Sequence, residues 1–414
     1  MSRPQTSPEP LRVGFVSPGW PADGMPNGIV SYTQTIVHAL QSLGVNCQVL
    51  AALVSGDAPD PFVHRFEAED RSLLSKIMWR VDPTGWQRRL TCAGLLDAVR
   101  QIGTTSRLDI LELEESFGWP VLLARKLRFP LVVRLHGPWF LNGVANGVPQ
   151  DKAFHRRDRW EREGLAAADA VTSPSKHVLE KTRQHFALSL PEAQVIPNPV
   201  EPAAAQNRWK LHDAEANRIA FIGRFDRHKG GDVVLDALRL VLKQVPDARL
   251  DFVGPDRGYI DDGGRTWKIE QYLQQKLEPR EREKVAFHGF QPGPRAAEFR
   301  KRALVTVAPS RYETFGIAAA EAMMAGCPLV VGGAGALTEL VQDQQNGLVA
   351  RPGDAADLAD KVMSLLRNPP FAARLGEQAA RDAMQRYAPA IVAQQTLDFY
   401  RKVLGRRAAD KQVI

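Results

Sequence analysis

Apolar and polar positions along this chain are grouped in blocks that switch between two periods. Short apolar runs the length of a buried strand end in Gly or Pro and lead into stretches with helical spacing. Residues 11–17, LRVGFVS, predict a first strand; the turn-rich PGWPADGMPNG follows, and a helix opens at Gly28 with Val30, Ile36, Val37 and Leu40 on one face. NCQVLAAL predicts the second strand. Residues 71–101 hold two basic segments, RSLLSKIMWR and WQRRLTCAGLLDAVRQ, which read as one or two surface helices. DILELEES ends a further strand on acidic residues, and PLVVRLHGPWF is a strand cut off sharply at His136-Gly137-Pro138. A charged helix follows, its Arg-rich front half reading as a solvated face, then a short strand and Ser173-Pro174-Ser175 capping the next helix.

The three prolines of VIPNPVEP, residues 195–202, read as a linker, and the alternation then starts afresh. NRIAFIGRFDRHKGGDVVLDAL gives strand, loop and helix; RLDFVGP and KVAFHGFQP are further strands, separated by a long loop, PDRGYIDDGGRTW, that carries no clear purpose. Residues 304–333 are the most informative stretch. An apolar strand stops at Pro309, a polar loop runs to Phe315, Gly316 begins an Ala- and Met-rich helix, Gly326 and Pro328 end it, and LVV returns as a strand. The chain closes on an amphipathic helix, IVAQQTLDFYRKVL. Strand-helix-strand units of this kind predict an α/β protein with parallel sheets, which bind ligands at the carboxyl ends of their strands.

Length adds that one core is not enough. At 414 residues the chain exceeds the size at which a single core keeps growing, so two domains are expected. Cys47, Cys92 and Cys327 lie far apart without CxxC spacing, which argues against a disulfide framework or zinc site and suits a reducing cytosol. No apolar run reaches the roughly 18 residues of a membrane span, and MSRPQTSPEP lacks the apolar centre of a secretory signal. The net charge of +7 fits an anionic partner: a sugar nucleotide, an acidic lipid surface or a nucleic acid.

Candidate chemistry narrows that choice. Backbone N–H groups near Gly316, Ile317 and Ala318 open a helix and suit an anion such as phosphate. Glu313 and Glu321 flank the same helix end, and carboxylates there are better matched to neutral hydroxyl groups. A ligand with a central phosphate and hydroxylated rings on both sides satisfies all of these groups. Arg224 and Lys229, five residues apart around a glycine-flanked turn, suit a diphosphate. His136 exposes an imidazole at a sheet edge, Glu115 is an acceptor candidate, and Gly28 opens a helix that can receive phosphate or sugar. GxGxxG is absent from the first unit, which removes the usual support for nicotinamide or flavin. The basic segment at 71–101 is open to two readings, a solvated surface or docking on an anionic membrane or lipid-linked acceptor.

Taken together these motifs resemble the GT4 retaining glycosyltransferases, over roughly residues 13–404. The most specific part is E-x7-E, Glu313-TFGIAAA-Glu321; Gly223-Arg224 with Lys229-Gly230, His136-Gly137, Gly332 to Glu339, Asn346-Gly347 and the IPNPV segment follow the same family pattern. The resemblance implies the GT-B fold, two facing Rossmann-like parallel-sheet domains with a cleft between them: an acceptor domain at 1–200, a nucleotide-sugar domain at 201–385, and a helix at 386–414 packing back on the first. It implies that Glu321 holds the donor ribose, Glu313 lies near the transferred sugar, Arg224 and Lys229 neutralise the diphosphate, and His136 bonds the donor sugar. Amides of Phe315, Gly316 and Ile317 contact diphosphate and sugar, and the base is read by backbone near residues 287–291. The family's paired glycines are replaced here by Asn27-Gly28, which bears on the acceptor and phosphate contacts of those two residues.

No D-x-D occurs, so neither a metal nor another cofactor is expected. The implied activity is metal-independent transfer of a hexose from a UDP- or GDP-linked donor to an acceptor hydroxyl in glycan or glycolipid synthesis. The acceptor class stays open among glycan, lipid-linked and small-molecule compounds. The setting is cytoplasmic, with peripheral membrane contact open and no nucleic-acid partner. The alternatives are a non-catalytic nucleotide-sugar-binding protein and another GT-B enzyme such as a sugar-nucleotide epimerase.

Overall fold

The first apolar run becomes an inner strand of a seven-stranded parallel sheet. In the computed structural model, which describes residues 10–412 apart from 23, 24, 26, 56–59, 69–71 and 106, this sheet is built from the first half of the chain. The reading of residues 1–9, part of the turn before Gly28 and the start of the basic segment lie outside the described residues. The order along the chain is β1 (Arg12–Trp20), α1 (Gly28–Ser42), β2 (Asn46–Val54), β3 (Val63–Arg65), α2 (Leu73–Val81), α3 (Pro83–Thr105), β4 (Ile110–Glu114), α4 (Trp119–Leu123), β5 (Leu131–Arg134), α5 (Trp139–Ala145), α6 (Lys152–Ala167), β6 (Ala170–Ser173), α7 (Lys176–Phe186) and β7 (Ala193–Val195). The strands lie in the order β3-β2-β1-β4-β5-β6-β7. Every residue of β4, β5 and β6 is buried, as expected of parallel strands covered on both faces.

The second half repeats the plan. β8 (Glu215–Ile222), α8 (Gly231–Leu242), β9 (Arg249–Val253), β10 (Tyr259–Ile260), β11 (Thr266–Trp267), α9 (Ile269–Lys276), α10 (Pro279–Arg282), β12 (Val285–Phe287), α11 (Gly293–Arg302), β13 (Ala303–Ala308), α12 (Ile317–Ala325), β14 (Leu329–Gly332), α13 (Leu337–Leu340), β15 (Leu348–Ala350), α14 (Ala355–Leu366) and α15 (Pro369–Tyr387) follow. Their parallel sheet runs β12-β9-β8-β13-β14-β15. The long loop after β9 is a small antiparallel hairpin, β10 with β11, fastened by buried Trp267 against Tyr272. The last helix, α16 (Pro389–Gln412), leaves this half and returns to the first. Its Val392, Leu397, Tyr400 and Val403 share a core with Val13, Ile36 and Val49.

One expectation from sequence does not hold. The second basic segment does not lie on the surface throughout: Leu95, Leu96, Val99 and Ile102 of α3 are buried with Leu50, Leu111 and Leu131. Its arginines mask the apolar stripe in the sequence: Arg89 and Arg100 are exposed, while Arg88 is half-buried and donates to the Gly118 carbonyl. In each sheet the order reverses beside the first strand, between β1 and β4 and between β8 and β13. The two switch points open into one cleft, where ligands of such sheets bind.

Candidate active site

The cleft has a volume of about 630 Å³ and is walled by both halves of the chain. From the second half, α12 presents its amino end. Gly316 precedes it at φ 95°, a left-handed backbone, and a Cβ there would come within 2.7 Å of Leu337 Cδ2. No side chain caps this helix, so its first amides face the cleft with the partial positive charge of a helix amino end. Phe315 contributes backbone only, since its ring is buried edge-on against Tyr387.

α1 presents its amino end to the same cleft. Asn27 Oδ1 accepts from the Ile29 amide at 2.9 Å, so this side chain caps α1 while also lining the cleft. A Cβ on Gly28 would lie 3.6 Å from Ile317 Cδ1, which is an ordinary contact and places the starts of α1 and α12 opposite each other.

The charged residues are linked in pairs. Arg224 Nε donates to Asp226 at 2.6 Å, and Asp226 also accepts from the Lys229 amide. Lys229 Nζ contacts Glu313 Oε1 at 2.5 Å, and Ser310 donates to the same oxygen. Burial opposes ionisation of Glu313, yet Lys229 and His228 hold its carboxyl below the usual range. The sequence reading kept cations for phosphate and carboxylates for hydroxyls; the fold joins Lys229 and Glu313, because buried opposite charges lower each other's desolvation cost by pairing. Glu321 Oε2 accepts from the buried Arg300 at 2.7 Å, and the described residues form no hydrogen bond to its Oε1.

His136 is half-buried on the cleft wall, its ring edge-on to Tyr32 at 4.9 Å, and its carbonyl accepts from Thr314 of the other half. Burial, then the nearby Arg134, pushes its pKa well below the usual value, so the imidazole is neutral. Glu115 lines the cleft too, but both oxygens are already committed. They accept from the amides of His136 and Gly137 at 2.9 and 2.7 Å, which makes Glu115 a brace for that turn rather than a free acceptor contact.

Several residues on the cleft wall escaped the sequence reading. Arg157, taken as part of a solvated helix face, lies between the rings of Phe117 and Trp139 at 4.3 and 3.9 Å. Its Nε donates to buried Glu161, whose pKa burial and Glu115 raise to about 8. Glu114 accepts from Ser116 and is raised to about 7, by burial first and then by Glu115. Asn198, inside the proline-rich linker, is buried and accepts from Arg134 at 2.6 Å. Among residues 287–291, Phe290 and Gln291 reach the cleft. The only sequence signals were Glu114's place beside Glu115 and Asn198's place in IPNPV; nothing set Arg157 apart from its charged neighbours. Among the described residues, no group of three or more His, Cys, Asp and Glu side chains gathers as a metal ion would need.

Residues 26–204 match the family model for Glycosyltransferase Family 4, and residues 204–382 match that for Glycosyl transferases group 1. The chain is 28% identical over 308 residues to D-inositol 3-phosphate glycosyltransferase of Xylanimonas cellulosilytica, covering 70% of each protein. It is 30% identical over 293 residues to mannosylfructose-phosphate synthase of Agrobacterium fabrum, covering 66% of this chain and 64% of that protein. In fold it is similar to sucrose-phosphate synthase from Thermosynechococcus elongatus, with a TM-score of 0.72 at 20% identity over 96% of this chain and 100% of the other. A second fold neighbour is Anabaena Alr3699/HepE solved with UDP, with a TM-score of 0.66 at 18% identity over 94% and 98% of the two chains.

Proposed function

Because the chain belongs to the glycosyltransferases, its first half to Family 4 and its second to group 1, we propose that it moves a hexose from a nucleoside-diphosphate sugar to an acceptor hydroxyl with retention of anomeric configuration. The observation that carries this reading is the meeting of two helix amino ends, α1 and α12, with Arg224, Lys229, Glu313, Glu321 and His136 on one cleft. A diphosphate seated between those helix ends gains negative charge as the bond to sugar C1 breaks. Fixed amides, Arg224 and Lys229 meet that charge, and no metal or other cofactor is assigned a part. Glu321, held by Arg300, takes the ribose hydroxyls. Neutral His136 hydrogen-bonds a hydroxyl of the transferred sugar.

The acceptor oxygen bonds to C1 on the face the diphosphate leaves, and its proton passes to the departing phosphoryl oxygen. No enzyme nucleophile takes part. The fold neighbour solved with UDP supports a nucleoside diphosphate as leaving group. Three free buried cysteines fit a cytoplasmic setting.

Lys229→Ala tests the assignment. Transfer should fall by about 10²–10³, the usual cost of losing one charge-stabilising donor, while the thermal transition stays cooperative. Near-normal transfer would remove Lys229 from the donor site. An inverted product linkage by NMR would overturn retention, and nucleoside-diphosphate binding without transfer to any acceptor would favour a binding protein over an enzyme.

A further inference from the structure

We propose that the acceptor is an amphiphile whose hydroxylated head enters the cleft while its hydrocarbon chain lies in a separate apolar groove between α2, α3 and the turn that follows β4. This rests on the glycosyl-transfer reading above and names its acceptor class. The groove has a volume of about 350 Å³, and Trp79, Pro83, Thr91, Phe117 and Trp119 form much of its lining. That size and aromatic character fit an apolar ligand.

The groove adjoins the cleft. Ser116 lines the cleft and Phe117, the next residue, lines the groove. Phe117 has φ 56°, a left-handed backbone that a non-glycine residue holds only at a cost, and its ring stacks on Trp119 at 6.0 Å. The guanidinium of Arg157, itself part of the cleft wall, lies over the same ring at 4.3 Å. Phe117 therefore sits where a polar, charged chamber meets an apolar one.

α2, which brings Trp79 to the groove, also carries an apolar ridge outside the groove lining. Leu73, Ile77 and Val81 recur every four residues on one face of α2 and are 78%, 58% and 74% exposed, with Trp79 also exposed. A soluble helix normally turns such a ridge inward. α2 holds no acidic residue, and Lys76 and Arg80 are exposed beside the ridge, which suits an amphiphile drawn from negatively charged surroundings. A sugar acceptor gains nothing from this face. A hydrocarbon chain gains from every methylene it buries.

Methyl, butyl, hexyl and octyl β-glucosides, below their micellar concentrations, probe the groove by titration calorimetry on the full chain. Affinity should rise about threefold to fourfold per methylene until the groove is full. Gln87 is an exposed groove residue outside the cleft, so Gln87→Trp should block the groove without disturbing the fold. That variant should lose the chain-length dependence and keep its binding of UDP, GDP or ADP. Affinity independent of chain length, or a dependence that survives Gln87→Trp, would overturn the proposal. So would equal binding of both forms to phosphatidylglycerol vesicles with no chain-length effect, which would make α2 a docking helix only. Failure of the functional reading shows separately, as no nucleoside-diphosphate binding by either form.

Discussion

Glu161 shows how much of the acceptor side rests on one buried carboxyl. It accepts from the Trp139 amide at 2.7 Å and from Arg157, so it fixes the start of α5 and the guanidinium that packs on Phe117. Burial and Glu115 raise its pKa from 4.5 to about 8. The folded chain thus keeps a proton that the unfolded chain releases, and this contribution to stability is complete below pH 4.5 and lost as pH rises through about 8. His136 acts in the opposite sense: its lowered pKa gives a contribution present above 6.5 and lost as pH falls below that value. Glu161→Gln should therefore flatten the decline of Tm between about pH 6.5 and 8.5. A decline as steep as that of the unaltered chain would show that Glu161 is not the titrating group.

At the scale of single elements, α1 and α12 both open on a glycine, yet for different reasons. Gly316 needs its left-handed φ of 95° and the lack of a Cβ, whose place Leu337 already fills, while Gly28 needs neither. Gly316→Ala should cost about 1–3 kcal/mol and weaken nucleoside-diphosphate binding as the first turn of α12 shifts. Gly28→Ala should change stability by no more than about 0.5 kcal/mol. Denaturant titration of the two variants checks the contrast, and equal losses would contradict the geometry.

Across the whole molecule, the two halves are tied at several places. Glu339 accepts from the amides of Lys176 and His177 at the start of α7, Ser175 donates to the Thr314 carbonyl, and Thr314 donates to that of His136. The last helix makes a further tie. Tyr400 donates at 2.7 Å to Glu112, a buried carboxylate that also accepts from Tyr32. Tyr400→Phe leaves Glu112 short of a donor and should cost about 1–3 kcal/mol by chemical denaturation. No loss would mean that α16 is held by its apolar face alone.

Most of the main strands and helices, the two-part plan and the residues of the E-x7-E stretch were legible in the chain itself, while the β10–β11 hairpin was not. Apolar period, glycine and proline act within a few residues, and Glu313, Gly316 and Glu321 are close enough in sequence for their loop-and-helix setting to be read directly. What Arg157, Glu115 and Lys229 do was decided only by folding. Arg157 meets Phe117 across forty positions, Glu115 takes the His136 and Gly137 amides from the neighbouring strand's end, and Lys229 finds Glu313 in another βα unit. The inward face of α3 belongs to the same group, for its burial depends on the sheet it lands on. Local periodicity fixes which element forms. The partner of a charge or an aromatic ring depends on which distant elements come together, and desolvation then sets how it must be satisfied.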